Sequence, residues 1–559
     1  MRFFRRFFLP FVLPLLCDPS AYSMSMQAYA SSSTIRHPLP FSARNASAIR
    51  RGGKVVSNPS LPTTELKMTG GETDSRALPK QPDISRLIRF YIPCLALWIS
   101  QPLLSLVDTA SVGLSASPGA GASSLGALGP ATTFIDGASY LFAFLNVATT
   151  NLYASALADD SRENPRFAGD SVVRTASKTS IFCGAAILYL LIKYGRAILG
   201  MYIGPEVMES VLGEEAFGYV KIRSYSMPTT LLYGVLQAAL LGAKDSSTAL
   251  VAVVVSTLFN VVGDLYLVVI KKMGVKGAAI ATLVAQIAGT MALIGPARSK
   301  LFATRSERTK KISEGTYKKV STASFLSFAA PVLTLVLGKL AAFGVMTHVA
   351  ASLPGETSLA AHQIVLSLFF FVSPFLEVLS QTAQAFLPQF YIARREESAV
   401  SPTDAAALEK EAATLSRRLM GLGLTLAAVV VAVASSVPAF FPGLLTNDAM
   451  VGRSLKPLAV PLALGSLLTA PVAVAEGVLL ARRELNFLAG TYILSTAVFP
   501  FFLFGIKKAK GPVSHVWVGF ALFQLFRASC FTGRIWLGPL LGKVFTRKGK
   551  KNSGKAKMA

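Results

Sequence analysis

An asparagine and an aspartate stand four residues apart in an apolar stretch, Asn260 and Asp264 in STLFNVVGDLYLV (256–268). Residues four apart share one face of a helix. Charged side chains near the centre of a bilayer are costly, so polar residues there usually mark a functional site. A carboxylate beside an amide can ligate a small hard cation such as Na⁺ or exchange a proton. The pair therefore predicts cation binding or proton transfer inside a membrane.

Two further polar residues are predicted at the same depth. Asp108 lies late in the first apolar span, as Asp264 does in the fifth, and Thr282 lies early in the sixth span, which returns in the opposite direction. With Asn260 and Asp264 they can form one cluster; the alternative is that Asn260 and Asp264 only hydrogen-bond to neighbouring helices. Pro102 removes a backbone hydrogen bond just before Asp108, so the first helix either bends there in function or carries a static bend.

Transmembrane helices are the elements that would position these residues. The chain is 52% hydrophobic and 15% charged, with a mean hydropathy of +0.51, which is too apolar for a soluble protein. The predicted fold is an all-α polytopic membrane protein with twelve transmembrane helices in two pseudo-symmetric six-helix lobes. The spans are predicted near 87–114, 125–157, 175–202, 219–242, 246–270, 275–296, 323–350, 359–390, 418–441, 456–482, 486–507 and 512–541.

The net charge of +26 is unevenly distributed. Basic residues concentrate in the leader, in the loop 297–322 and after Leu541, whereas the loop 203–216 carries four glutamates. Because basic loops resist translocation, both termini and the central loop are predicted on one face of the membrane. The charge therefore indicates topology, and no nucleic-acid partner is predicted. The four cysteines are scattered without disulfide or zinc-site spacing: Cys17, Cys94, Cys183 and Cys530.

The two halves of the chain look related. LQAALLGAKDSSTAL (236–250) resembles AEGVLLARRELNFLA (475–489), and LGALGPAT (125–132) and LAAHQIVL (359–366) both open a second span. A duplicated six-span unit predicts two lobes around a central cavity, which is an architecture of transporters. The predicted divisions are an N-lobe at 86–296, a basic inter-lobe loop at 297–322, a C-lobe at 323–541 and a basic disordered tail at 542–559.

The first 85 residues have the composition of targeting segments. Residues 1–21 have the basic start, apolar run and small residues of a signal peptide, and 22–85 are transit-peptide-like. With an aromatic residue, Tyr22, after the predicted cleavage point, the leader resembles the bipartite leaders of algae with plastids of secondary origin. The plastid envelope is therefore the predicted location. The alternative is a secretory signal followed by a linker, leading to an endomembrane or the plasma membrane.

Five segments carry a resemblance to a known family: PLLSLVDTASVG (102–113), LGALGPATTFIDGASYLFAFLNVATTNLYASALA (125–158), FNVVGDLYLV (259–268), GVKGAAIATLVAQ (274–286) and LEVLSQTAQAFLPQF (376–390). They resemble the multidrug and toxic compound extrusion (MATE) transporters, especially the DinF-like branch, which includes a plant plastid-envelope exporter of salicylate. The resemblance implies export of organic solutes in exchange for H⁺ or Na⁺. It also implies cation-coupling roles for the residues that match the family's N-lobe site: Asp108, Asn260, Asp264 and Thr282.

Four residues are predicted to line a substrate cavity: Asp136, Lys339, Glu377 and Glu476. Asp136 matches a recurrent position of the family without an assigned role. Lys339 stands in the seventh helix, where many eukaryotic members have a glutamate, and is the one clear intramembrane cation that the sequence shows. We hypothesise that it faces the cavity and attracts an anionic substrate; snorkelling to an interface is the alternative. Glu377 and Glu476 can assist coupling.

The remaining candidate residues are predicted to have structural roles, either in packing or at the surface. His348, His362 and His515 are predicted to pack or hydrogen-bond, and SLFFFVSPF (367–375) to face lipid or pack, with a cavity wall as the alternative. ALEKEAATLSRR (407–418) is predicted to be an exposed amphipathic segment.

The sequence thus predicts a monomeric secondary antiporter in a lipid bilayer that exports small organic solutes, such as aromatic carboxylates or xenobiotics. It predicts no enzyme activity, no cofactor and no metal beyond Na⁺ as a coupling ion. A lipid-linked precursor flippase is one alternative. A membrane-embedded transferase is another, although it needs paired Asp-rich loops, and the doublet Asp159 and Asp160 is not duplicated.

Overall fold

The computed structural model describes the chain in seven stretches: 79–115, 121–159, 168–315, 317–353, 357–391, 402–446 and 449–537. The chain divides into two units, Met1–Leu78 and Pro79–Ala559. The predicted signal peptide, nearly all of the transit-peptide-like segment and the basic tail lie outside the described residues. The described part is helical throughout, without a strand.

Twelve long helical segments, α1 to α12, follow one another in the described residues, and each predicted span overlaps one of them. Their bounds are Ile84–Ser115 (α1), Gly121–Tyr140 with Ala143–Asp159 (α2), Asp170–Ile203 (α3), Val211–Ser224 with Met227–Gly242 (α4), Ser246–Gly263 with Asp264–Ile270 (α5), Gly274–Leu301 (α6), Thr322–Ser352 (α7), Thr357–Phe386 (α8), Pro402–Phe440 (α9), Ala449–Leu455 with Ala459–Ala481 (α10), Leu485–Lys508 (α11) and Val513–Thr532 with Gly533–Leu537 (α12). Ten candidate membrane spans lie in the described residues, and part of α4 is a shorter apolar helix. The predicted all-α polytopic membrane fold is confirmed.

Helix α9 begins earlier than predicted. The apolar pattern placed its start at 418, but the helix begins at Pro402 and includes the segment 407–418. Leu408, Ala412 and Leu415 are buried along one side of this segment, while its charged residues point outward. Hydropathy marks only the part of a helix that crosses lipid, whereas backbone hydrogen bonding extends it beyond the membrane.

The turns of the two halves have the same backbone geometry. In the turn between α4 and α5, Lys244 adopts a left-handed conformation with φ 63°, and in the turn between α10 and α11 Arg483 does so with φ 60°. Each is followed by an acidic residue, Asp245 or Glu484, whose N–H bonds back to a carbonyl five residues earlier. Such a conformation is uncommon for a residue with a side chain. Its recurrence at corresponding places agrees with the similarity of 236–250 to 475–489.

The N-half (α1–α6) and the C-half (α7–α12) are joined near the ends of helices that face the basic loops. Tyr91 Oη donates to the Phe375 carbonyl at 2.6 Å. Asn151 Nδ2 donates to Gln384 Oε1 at 2.7 Å, and Lys244 Nζ donates to Gln389 Oε1 at 2.6 Å. These contacts hold the halves together at the face that carries the basic loops.

The loop between the halves is fastened to α3. The buried carboxylate of Asp170 accepts hydrogen bonds from the Ala303 N–H, from Arg174 Nε and from Tyr317 Oη, each at 2.9 Å. One carboxylate thus fixes two separate points of the basic segment against the membrane part of the N-half.

We predict that Gly477→Ala destabilises the C-half. A Cβ at Gly477 in α10 would lie 2.6 Å from the Ser380 carbonyl oxygen of α8, so the backbones must separate, at a cost of about 1–3 kcal/mol. Gly490→Ala in α11 is the matched control, because a Cβ there meets nothing within 4 Å. Thermal melting in detergent should show a lower midpoint for Gly477→Ala only; equal midpoints would contradict the close approach of α8 and α10.

We also predict a pH effect at the junction of the halves. Burial, and then the charge of Arg86, lower the pKa of Lys244 from its ordinary 10.5 to about 8. Below pH 8 the ammonium is charged in both the folded and the unfolded chain, and its partial burial lowers the free energy of unfolding by at most about 3 kcal/mol. Between pH 8 and 10.5 the folded chain loses this proton before the unfolded chain does, so the free energy of unfolding rises. Wild-type melting midpoints should rise over that window relative to Lys244→Met. Lys80→Met, at an exposed position, should behave as wild type; parallel curves for all three would disprove the effect.

Candidate cation site and a second charged cluster

The structure brings the four predicted coupling residues together inside the N-half. Thr282 Oγ1 of α6 lies 3.3 Å from Asn260 Nδ2 and 3.4 Å from Asp108 Oδ2. The carboxylate of Asp264 interacts electrostatically with that of Asp108. Side chains from α1, α5 and α6 thus meet at one depth, as the spacing predicted.

Several oxygens of this cluster have no hydrogen-bond donor among the described residues. Asn260 and Asp264 are fully buried and Asp108 is 4% exposed. The unpartnered atoms are Asp108 Oδ1, Asn260 Oδ1 and both Asp264 Oδ atoms. A buried polar atom without a partner costs about 1–3 kcal/mol, and two ionised carboxylates side by side repel each other. The donor set therefore fits a bound proton or a small hard cation.

Local backbone features put Asp264 in the cluster. Helix α5 changes at this residue from an α-helix to a π-helix, Asp264–Ile270. A π-helix alters the direction of side chains within a continuous helix and often occurs at functional sites. Gly263 lets α5 approach α6 closely, because a Cβ there would lie 2.8 Å from the Cβ of Ala281. That approach brings α5 against the helix that carries Thr282.

The cation site opens on a cavity that also holds a positive charge. Its lining includes Asp108, Asn260 and Thr282 together with Asp136, Tyr219 and Arg223. Arg223 Nη2 donates to Asp136 Oδ1 at 3.1 Å, and Nη1 donates to Tyr219 Oη at 3.2 Å. Arg223 is almost fully buried, with its side chain 5% exposed. The prediction that Lys339 is the one clear intramembrane cation is therefore wrong.

Sequence reasoning could have found Arg223, since it stands four residues after Tyr219 inside the predicted fourth span. Arg527 in α12 was also missed and is 3% exposed. Arg223 was overlooked because an arginine near a span end resembles a flanking residue, whereas Arg527 stands in the middle of the predicted span 512–541, where its charge alone could have marked it.

The four residues predicted to line one substrate cavity occupy two places. Asp136 lies in the N-half with Arg223, whereas the other three meet in the C-half. There Lys339 Nζ of α7 donates to Glu377 Oε1 of α8 at 3.2 Å and to Glu476 Oε1 of α10 at 3.3 Å. Lys339 is thus held by two carboxylates from two neighbouring helices.

Two further residues complete this C-half cluster. Tyr492 Oη of α11 donates to Glu476 Oε2. The guanidinium of Arg527 lies 4.6 Å from the ring centre of Tyr492 and 4.8 Å from that of Phe523. Two cationic side chains thus accompany two carboxylates, so the C-half cluster balances its charge, unlike the carboxylate pair of the N-half.

The other candidates have structural roles in the described residues. His362 is buried and accepts a hydrogen bond from Trp517 Nε1 at 3.2 Å, as predicted for a packing histidine. Phe369 packs in the core, whereas Phe370 and Phe371 are about half exposed. Pro102 lies within α1, and its side chain is outside the described ones.

Metal-site chemistry of another kind is not apparent in the described stretches. No group of three or more His, Cys, Asp or Glu side chains there is arranged to hold a metal ion. Cys94, Cys183 and Cys530 are free thiols, and Cys17 lies outside the described residues.

Comparison with protein families and curated sequences gives consistent matches. The family model MatE matches residues 93–266. The chain is 30% identical over 456 residues to Protein DETOXIFICATION 47, chloroplastic, of Arabidopsis thaliana, covering 81% of this chain and 78% of that protein. It is 30% identical over 300 residues to DNA damage-inducible protein F of Escherichia coli K12, covering 53% of this chain and 61% of that protein.

Solved structures show the same fold. One is an outward-facing multidrug resistance MATE family transporter of the MOP superfamily, with TM-score 0.68, 18% identity and coverage of 80% of this chain and 95% of that one. A MOP superfamily transporter from Pyrococcus furiosus, described as having a binding pocket of reverse polarity, has TM-score 0.67, 18% identity and the same coverage.

We predict that the N-half cluster makes stability depend on cations. In Na⁺-free buffer, adding Na⁺ or lowering the pH should raise the melting midpoint, because either cation removes repulsion between Asp108 and Asp264. Asp264→Asn should lose most of that rise, whereas Glu209→Gln, which removes an exposed carboxylate, should keep it. The arm that responds, Na⁺ or H⁺, identifies the ion, and an undiminished response in Asp264→Asn would exclude this cluster as its site.

Proposed function

The chain belongs to the MATE family of transporters, and from this we propose that it exports small organic solutes in exchange for H⁺ or Na⁺ bound at Asp108, Asn260, Asp264 and Thr282. Family membership follows from the relative that is 30% identical and covered over 78% of its length. The protein is therefore an integral membrane transporter and not an enzyme. The solute, the ion and the coupling residues are the proposal.

The observation that carries the proposal is the pair of buried carboxylates, three of whose four oxygens have no donor among the described residues. A monovalent cation or proton entering between Asp108 and Asp264 connects α1 to α5. An ion can shift a conformational equilibrium only if it binds one state more tightly than the other. A site built from three separate helices meets this requirement, because moving any one of them changes the number of oxygens in reach.

The donor set does not by itself choose between the two ions. Carboxylate, amide and hydroxyl oxygens are suitable ligands for Na⁺, and the paired carboxylates are equally suited to share a proton. The proposal therefore includes both ions, and the choice between them is a measurement.

Charge balance favours the N-half as the coupling site. In the C-half, Lys339 already contacts both Glu377 and Glu476, so these carboxylates have a permanent counter-ion. The Arg223–Asp136 pair in the N-half is likewise neutral as a pair. Asp108 and Asp264 remain as the carboxylates that need an exchangeable positive charge.

Small solutes fit this site better than the lipid-linked substrates of a flippase. A flippase would need a strongly cationic cavity, and the structure does add two buried arginines to Lys339. However, Arg223 is paired with Asp136, and Arg527 lies beside a cluster that holds two carboxylates. The interior is therefore charge-balanced rather than strongly cationic.

A plastid membrane is the proposed location. The composition of residues 1–85 supports it, as do the names of two relatives that carry the word chloroplastic, Protein DETOXIFICATION 47 and Protein DETOXIFICATION 44 of Arabidopsis thaliana.

We predict that gradient-driven efflux depends on Asp264. Proteoliposomes loaded with a labelled aromatic carboxylate and given a pH gradient or a Na⁺ gradient should release it only with the coupling ion's gradient. Asp264→Asn should reduce the initial rate at least about tenfold, the equivalent of 1.4 kcal/mol, because the carboxylate that needs the exchangeable charge is gone.

Glu209→Gln serves as the control, and its rate should equal the wild-type rate. Full efflux from Asp264→Asn liposomes would move coupling to Glu377 or Glu476. Failure of both gradients to drive efflux of several solutes would refute the antiport proposal and bring lipid flipping next under test.

A further inference from the structure

Lys339 lies where three helices of the C-half converge. Its ammonium contacts one oxygen of Glu377 and one of Glu476. The two glutamates differ in how firmly they are held. Glu476 also accepts a hydrogen bond from Tyr492, whereas Lys339 is the one hydrogen-bond partner of the Glu377 side chain among the described residues. Glu377 is accordingly the more exposed, with 23% of its side chain accessible against 8% for Glu476.

A residue of the N-half lies beside this cluster. Tyr140 stands in α2 at the end of its first helix, Gly121–Tyr140, and interacts electrostatically with Lys339, Glu377 and Glu476. The second helix of α2, Ala143–Asp159, packs against α7, which carries Lys339. The cluster therefore lies beside helix α2 of the N-half, at the boundary between the two halves, and Lys339 and Glu377 keep 18% and 23% of their side chains accessible there.

We propose that this cluster selects the charge of the solute: Lys339 is a tethered counter-ion that occupies the carboxylate pair, excludes organic cations and binds organic monocarboxylates. This inference rests on the proposed export of organic solutes and specifies their class.

Organic cations are excluded by competition. Two adjacent carboxylates from different helices would be a strong site for an organic cation, since each would add a favourable contact with the positive charge. Lys339 occupies that site and belongs to the same chain as the two carboxylates, so its effective concentration at the site exceeds that of a free solute. A cation must displace it and leave an ammonium without partners in a low-dielectric interior, which is costly.

Organic anions bind by replacing Glu377 on Lys339. Because Glu377 is held at a single contact, a carboxylate from solution can take its place on Lys339 while Glu476 stays fixed by Tyr492. The ammonium has three donors, so it can contact Glu476 and the solute together. The ring of Tyr140, which is 42% exposed, lies beside the cluster and favours a solute with an apolar or aromatic body.

Equilibrium binding without any gradient tests the inference. The purified full chain in detergent is titrated with labelled benzoate, the anion probe, and with labelled tetraphenylphosphonium, the cation probe. The wild type should bind benzoate more tightly. Lys339→Gln should lose benzoate affinity and gain tetraphenylphosphonium affinity, each by at least about tenfold, since one charged contact is removed and two carboxylates are released.

A second variant changes affinity in the direction that misfolding cannot produce. Glu377→Gln removes the competitor for Lys339, so its benzoate affinity should rise above that of the wild type. Lys221→Gln, which removes an exposed lysine of α4, is the matched control and should leave both affinities unchanged.

Three results would overturn the inference: a wild type that does not prefer the anion, an unchanged preference in Lys339→Gln, or a lower benzoate affinity in Glu377→Gln. If only the antiport proposal is wrong, the binding preference stays intact but neither gradient drives efflux from proteoliposomes. The two ideas are thus tested by separate measurements.

Discussion

Charge inside a low-dielectric interior must be neutralised, and this requirement explains the arrangement of polar residues in both halves. A carboxylate buried away from water is tolerated only with a cation, a proton or hydrogen-bond donors. The N-half leaves Asp108 and Asp264 dependent on an exchangeable positive charge. The C-half supplies its positive charge covalently, through Lys339. One half is therefore suited to coupling and the other to discrimination between solutes.

Backbone irregularities determine where these charges lie. Helix α5 becomes a π-helix at Asp264, and α2 is interrupted just after Tyr140. Both irregularities stand next to a charged cluster, where a regular helix would direct the side chains elsewhere. Gly263 and Gly477 then allow neighbouring helices to approach closely enough for side chains of different helices to touch. The clusters thus depend on tight packing as much as on their own contacts.

The two halves share backbone geometry but differ in chemistry. The left-handed turns at Lys244 and Arg483 have the same pattern of hydrogen bonds, although Lys244 contacts the other half and Arg483 occupies the corresponding turn in the C-half. The contacts that join the halves lie toward the basic loops, through Tyr91, Asn151 and Lys244. Apolar side chains pack across the same junction: Phe90 of α1 lies edge-on against Phe386 of α8, and both belong to a buried cluster that contains residues of both halves.

The sequence by itself determined the membrane-spanning helices and the polar cluster of the N-half. Lipid cannot hydrogen-bond the backbone, so each apolar stretch of sufficient length must be helical, and the four-residue spacing of Asn260 and Asp264 places both on one face. The start of α9 was missed because hydropathy does not report a helix outside the membrane. Only the tertiary structure decided that Arg223 pairs with Asp136, that Asp136 lies apart from Lys339, and that Lys339 bridges Glu377 and Glu476. These pairings join residues of different helices, and no local spacing encodes which faces of distant helices meet.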